Sequence, residues 1–356
     1  MRISDAIERA ARVALVGLAK NTGKTVALGA ILSELEARGE TIGVTSIGRD
    51  GESTDALDDA IAKPPIRLPA MALVATTDKL LERSEARTEV ALRTEHRTPL
   101  GRVVIARLLE RGTVEVAGPV AAQDVGDVVD RMRRLGAERV LVDGSIDRRA
   151  GASPALADGV VLSTGAVLSA DLEQLARRTK AAVDLLTLAA VEDAALRERA
   201  AALRTSALLL DGEEAIPLDP TLVHDRVEGV VPLLRERRDV RAVVVRGALC
   251  EPLLECIGHA RRGAPIAVVT DDATRVFLGR GTVARHRSRG VLLAVLQALP
   301  LLAVTTNPVA PLRHRFDAEE LRARVACELP GVPVLDVVAS GAAGAPSTPA
   351  LLSNAR

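Results

Sequence analysis

Nine consecutive residues constrain this chain more than any others. Gly17-Leu18-Ala19-Lys20-Asn21-Thr22-Gly23-Lys24-Thr25 lie between an apolar run ended by glycine, Arg12 to Gly17, and a segment from Val26 to Arg38. In that segment Leu28, Ile31, Leu32 and Leu35 recur at helical spacing. The run reads as a buried parallel strand, the segment as a helix closed by Gly39, and Thr41 to Ile47 as the next strand. Strand, loop, helix and strand in this order form the right-handed crossover of parallel sheets. Glycines let a main chain curl until its N–H groups face one anion, and the following helix aims the positive end of its dipole at the same point. Of 47 basic residues only five are lysine, and two of those, Lys20 and Lys24, sit in this loop. A compact ammonium group is thus used here in a chain that otherwise writes arginine.

This is the setting of a phosphate-binding loop with ATP and Mg²⁺ as its ligands. Gly17, Lys20, Asn21, Thr22, Gly23, Lys24 and Thr25 are the candidate nucleotide contacts. Lys24 would bring charge to the β- and γ-phosphates in a catalytic role, and the Thr25 hydroxyl would ligate Mg²⁺. The spacing is one residue long: Gly-x4-Gly-Lys-Thr needs glycine at position 18, which is Leu18. A second anionic group is needed for the metal, and Val140-Leu141-Val142-Asp143 fits an apolar strand ending in that carboxylate. Asp50, in Ser46-Ile-Gly-Arg-Asp-Gly-Glu52, is a further candidate for Mg²⁺ contact or for orienting the attacking water; a solvated turn is its alternative. No Asn-Lys-x-Asp guanine motif is evident, which leans towards adenine.

Other constellations carry less. Thr164-Gly165 ends a strand at the same edge and could line the pocket. Asn307, before Pro308, could read a purine edge, or be a turn residue if the second half of the chain stands apart. Arg148-Arg149 could supply an arginine finger or be surface charge. Cys250, Cys256 and His259 read as buried thiols and a surface histidine rather than a metal site. Arg285 to Arg289 reads as a solvated helix face.

Strands alternating with helices predict an α/β protein: a doubly wound, mostly parallel sheet with the phosphate loop, then a second α/β unit. The reading places a nucleotide-binding domain over 1–190, a helical connector over 191–205, a second α/β domain over 206–340 and a disordered tail over 341–356. In the second unit it expects strands at 302–305 and 334–338 and a helix over 283–298. With 47 basic and 47 acidic residues the net charge is zero, against a surface built for nucleic acid or acidic membrane. Two phenylalanines, with neither tyrosine nor tryptophan, leave little from which to build base-stacking platforms. Three cysteines cannot staple 356 residues. The N-terminal stretch lacks a secretory pattern and no apolar segment reaches bilayer length, so a cytoplasmic protein is expected.

The loop resembles the extended Walker A segment of dethiobiotin synthetase and its relatives in the MobB-like and MinD-like branch of P-loop proteins. Further motifs follow in order: Thr45 to Glu52, Lys63-Pro64, Val142-Asp-Gly-Ser-Ile-Asp-Arg148, Ala152-Ser-Pro154, Asp158 to Gly165 and, later, Thr306-Asn-Pro308. Together they are similar to the reactivase subunit that accompanies adenosylcobalamin-dependent lysine and ornithine aminomutases, closely over roughly the first half. That resemblance implies a nucleotide-driven chaperone that exchanges damaged cobalamin, with a MutS-related second subunit and the aminomutase as partners. Two other functions fit the same loop: a dethiobiotin-synthetase-like ATP-dependent ligase or kinase on a small metabolite, and a nucleotide-gated binding module.

Overall fold

The computed structural model describes residues 1–48, 65–144, 153–261, 264–279, 282–311 and 313–338. Helix α1 (Ile3–Ala6) leads into strand β1 (Arg12–Gly17), helix α2 (Lys24–Ala37) and strand β2 (Ile42–Ser46). Next come β3 (Ile66–Leu68), β4 (Leu73–Thr77), α3 (Asp78–Glu82), the hairpin strands β5 (Thr88–Thr98) and β6 (Gly101–Leu108), and β7 (Gly112–Val114). Helix α4 (Ala122–Arg134), β8 (Arg139–Asp143), β9 (Gly159–Gly165) and α5 (Leu172–Leu186) follow.

Nine strands form one sheet in the order β18-β17-β9-β1-β8-β2-β4-β6-β5, counting two strands from the far end of the chain, β17 (Leu301–Asn307) and β18 (Val334–Leu335). It is parallel from β18 through β4, and β6 and β5 close it antiparallel. Helices cover both faces, which is why its central strands β8, β2 and β9 are buried at every position and mostly apolar. Along β1, Val13 and Leu15 pack with Leu28, Ile31 and Leu35 of α2. Ala14 and Val16 pack on the opposite face with Leu175 and Val183 of α5, and with Leu321 and Val325 of α11 (Ala318–Glu328). Helix α4 covers the other half of that face, setting Val125, Val128 and Met132 against Val140 and Val142. Each such leucine, isoleucine or methionine stabilises the fold by about 1.5–3 kcal/mol through burial.

The chain between α5 and β17 makes a second unit. After α6 (Ala194–Ala202), strands β10 (Ala207–Leu210) and β11 (Ala215–Pro217) form a hairpin, followed by α7 (Pro220–His224) and α8 (Val230–Glu236). Then come β12 (Val240–Val244), β13 (Leu249–Cys250), α9 (Glu251–Arg261), β14 (Ile266–Thr270), β15 (Val276–Phe277), α10 (Thr282–Ser288) and β16 (Val291–Val295). The five-stranded order is β11-β10-β12-β14-β16, with β12, β14 and β16 parallel. Its core, Leu208, Val243, Leu253, Ile257 and Val268 among others, is distinct from those of the first sheet.

Two sequence expectations need correction. The boundary at 340 does not hold, because β17 pairs with β9 and β18 pairs with β17: the five-stranded unit is an insertion, and the chain returns to finish the first sheet. Its entry and exit run side by side, with Val295 N donating to Ala189 O and Val191 N to Val295 O, both at 2.9 Å. The helix expected over 283–298 is a short helix and then strand β16. Gly290, at φ +81°, turns the chain out of α10, and the five apolar residues after it pair with β14. The proposed tail, 341–356, lies outside the described residues. No described helix is long and apolar enough to cross a membrane.

Candidate functional site

Strand β1 lies between β8 and β9, with Leu15 opposite Asp143 and Gly17 opposite Ser163. The loop after it therefore leaves from the middle of the sheet's carboxyl edge, the place where open α/β sheets bind ligands. Leu18 N donates to Ser163 O at 2.9 Å and carries the pairing one residue past the strand. The loop then turns on two left-handed residues, Asn21 at φ +64° and Gly23 at φ +89°. Between them Thr22 is turned inward: its hydroxyl donates to Ala19 O at 3.0 Å, and it braces the loop from within.

Gly17 is required by close approach and Gly23 by its left-handed backbone. A Cβ on Gly17 would stand 2.6 Å from the Thr22 hydroxyl oxygen. On Gly23 it would stand 3.1 Å from the Asn307 Cβ, on a residue already in the left-handed region. Lys24 is the first residue of α2, and no side chain caps that helix. Among the described residues, the main-chain amides of Lys20, Asn21, Gly23, Lys24 and Thr25 have no hydrogen-bond acceptor. A curved set of donors at a helix N-terminus offers its positive potential to an anion.

Lys24 bends back over the sheet edge. Its Nζ lies 2.7 Å from Asp143 Oδ1 and also donates to Gly144 O. Asp143, the last residue of β8, is 4% exposed. Along β8 Leu141 packs on the α2 side, and alternation sends Asp143 the same way, beneath the loop. The pair thus brings together the two charged residues that the sequence assigned to phosphate and metal. Thr25 is exposed in the first turn of α2, and Lys20 is exposed at the loop's outer side.

Asp50 lies outside the described residues, as do Arg148 and Arg149. The chain entering the Asp50 segment is anchored to the site: Ile47 N donates to Asp143 O at 3.2 Å and Gly48 N to Pro119 O at 2.6 Å.

Asn307 is drawn into the site. As the last residue of β17 it faces Gly165 of β9, its Nδ2 donates to Asn21 O at 2.8 Å, and its Oδ1 accepts from Val309 N at 3.1 Å. The turn-residue alternative presumed a separate second half, and β17 is part of the first sheet. Thr164 goes the other way: its hydroxyl is buried against Thr179 of α5 at 2.7 Å and does not line a pocket.

Compared with models of protein families, with curated proteins and with solved structures, the chain matches none.

Away from the loop, Glu95, His96 and Asp127 converge, a cluster with no signal in the sequence because β5 and α4 are far apart along the chain. Arg131 already supplies the cation, 2.5 Å from Glu95 and 2.8 Å from Asp127, and His96 Nε2 lies 2.7 Å from Asp127. Burial raises the Asp127 carboxyl, but its bonds to His96 and Arg131 outweigh this and hold it below the usual range. Cys250 and Cys256 are half-buried rather than buried, and His259 is exposed. Burial, with Glu228 and Glu255 nearby, pushes the Cys256 thiol up and makes it a poor nucleophile. His286, expected on a solvated face, is buried.

Proposed function

We propose that the protein is a Mg²⁺-dependent nucleoside triphosphatase, with ATP as its nucleotide and Gly17 to Thr25 as its P-loop. The observation that carries this reading is the 2.7 Å approach of Lys24 Nζ to Asp143 Oδ1 beside a loop whose amides have no acceptor among the described residues. The residues present fit the ligands. Unpartnered amides suit phosphate oxygens, Lys24 suits the bridging charge, and Thr25 with Asp143 gives oxygen ligands of the kind Mg²⁺ takes. The ion's contribution would be to neutralise charge developing on the transferred phosphoryl group. Lys24 holds the Asp143 carboxylate before nucleotide arrives and exchanges that partner for phosphate afterwards. Asn307 fixes the outer turn through Asn21, and Asp50 belongs to the reading as the group that senses or activates.

The cellular role we attach to this chemistry is that of a reactivating chaperone subunit for a cobalamin-dependent aminomutase, working with a MutS-related partner. It rests on the order of motifs from Val13 to Gly165 and at Thr306-Asn-Pro308. The experiment is phosphate release from MgATP by the full chain, alone, with an aminomutase, and with a metabolite panel. Stimulation by the mutase alone supports the chaperone role, and stimulation by a metabolite alone replaces it with a ligase or kinase. Lys24→Ala should abolish release; unchanged release in that variant refutes the nucleotide site itself.

A further inference from the structure

The second sheet carries a cleft of its own. Arg246 stands two residues beyond β12, Asp271 directly follows β14, and Leu296 and Gln297 directly follow β16. Three adjacent parallel strands thus deliver residues just beyond their carboxyl ends to one place, the edge at which open α/β sheets take ligands. Helix α6 walls the cleft with Arg197 and Glu198, and the volume is about 660 Å³. That lies within the roughly 300–1,000 Å³ typical of small-molecule sites.

The Arg246–Asp271 pair is fixed in place. Arg246 Nη1 is paired with Asp271, while its Nη2 donates to Ala200 O at 2.6 Å and to Ala201 O at 3.1 Å. Its Nε is buried and has no partner among the described residues. Leu296 N and Gln297 N donate to Thr270 O and Asp271 O, both at 2.9 Å, and set the floor.

Charge selects the ligand. Two guanidinium groups, Arg197 and Arg246, and two carboxylates, Glu198 and Asp271, line the cleft, so it is neutral overall and carries charges of both signs. An anion attracted by the first pair is repelled by the second, and a cation meets the reverse. A molecule bearing both charges gains from both. Leu296 and the alanines of α6 give an aliphatic stem an apolar wall.

We propose that this cleft binds a small zwitterionic metabolite of the amino-acid class, its carboxylate towards Arg197 and Arg246 and its ammonium towards Glu198 and Asp271. The site does not depend on the nucleotide reading. Calorimetric titration of the full chain with free L-amino acids, one at a time to millimolar concentration, tests it. Each ligand that binds is compared with its carboxamide and its N-acetyl derivative. At least one amino acid should bind, with both derivatives about 10-fold weaker or worse. Arg197→Ala and Glu198→Gln alter exposed α6 side chains; each should weaken binding about 10-fold and leave the thermal midpoint in place. The proposal falls if no amino acid binds, if either derivative binds as well as its parent, or if both variants bind like the natural chain.

Discussion

The side-chain amide of Asn307 donates to the main-chain carbonyl of Asn21 at 2.8 Å, joining the end of β17 to the outer turn of the β1–α2 loop. A strand separated from the loop by the whole inserted unit thereby holds the one loop residue, other than glycine, that adopts a left-handed conformation. Asn307→Ala removes that tie. A net hydrogen bond of this kind contributes about 0.5–1.5 kcal/mol, so nucleotide affinity should fall roughly 2- to 13-fold with the fold intact. Titration with a fluorescent ATP analogue measures it. Affinity equal to that of the natural chain would show that the loop holds its shape unaided.

Gly23→Ala tests the loop more severely. The alanine must accept φ +89°, at a cost of about 1–2 kcal/mol, and its Cβ meets the Asn307 Cβ at 3.1 Å. Stability from urea unfolding should drop by about that amount, and nucleotide binding should be lost because the relaxed loop no longer points its amides together. Gly29→Ala is the matched control. Within α2, where a new Cβ meets nothing within 4 Å, it should be neutral or mildly stabilising.

Much of this site was legible because it is local. The apolar run of β1, the glycines and the helical spacing of Leu28, Ile31, Leu32 and Leu35 lie within some 26 consecutive residues, where period and turn chemistry speak directly. Asp143 was legible too, since an apolar run that stops at a carboxylate reads the same wherever the strand sits. The role of Asn307 was not. It depends on β17 pairing with β9 across the insertion, and no local pattern says which sheet a strand such as Leu301–Asn307 will join. The same limit produced the error at 340. Strand β16 failed for another reason: Val291–Val295 is an apolar run beside a helical stretch, and periodicity cannot separate a short buried strand from one more helical turn.

Acid stability should depend on Asp158, at the opposite edge of the sheet. Its carboxylate accepts from Arg12 N at 2.8 Å and from the Arg12 guanidinium at 3.0 and 2.7 Å. Burial raises this carboxyl, but the bonds from Arg12 prevail and hold it below 3.8. The sign follows from that direction. The stabilisation is fully present above the unfolded value and is lost as pH falls through the lowered folded one. Asp158→Asn should destabilise the protein by about 1 kcal/mol at pH 7, the pair being about one-third exposed. The difference between the two proteins should vanish in strong acid, as chemical denaturation across pH would reveal.

His286 should make a second, separate contribution at higher pH. It is buried in α10, and neither ring nitrogen has a partner among the described residues. Burial pushes the imidazole below 6.5; Arg285 and Arg289 push the same way, and Glu251 and Glu255 oppose them. The unfolded chain therefore takes up a proton before the folded one does. Stability from this group is complete above the unfolded value, declines as pH drops below it, and levels off once the folded imidazole is also protonated. His286→Leu puts an apolar side chain of similar size in place of the imidazole and removes two unsatisfied nitrogens. It should match or exceed the natural chain at pH 7.5, by at most about 1–3 kcal/mol. Its stability should also stay flatter between pH 7 and pH 5. Should the variant lose stability with acid as steeply as the natural chain over that range, the titrating group lies elsewhere.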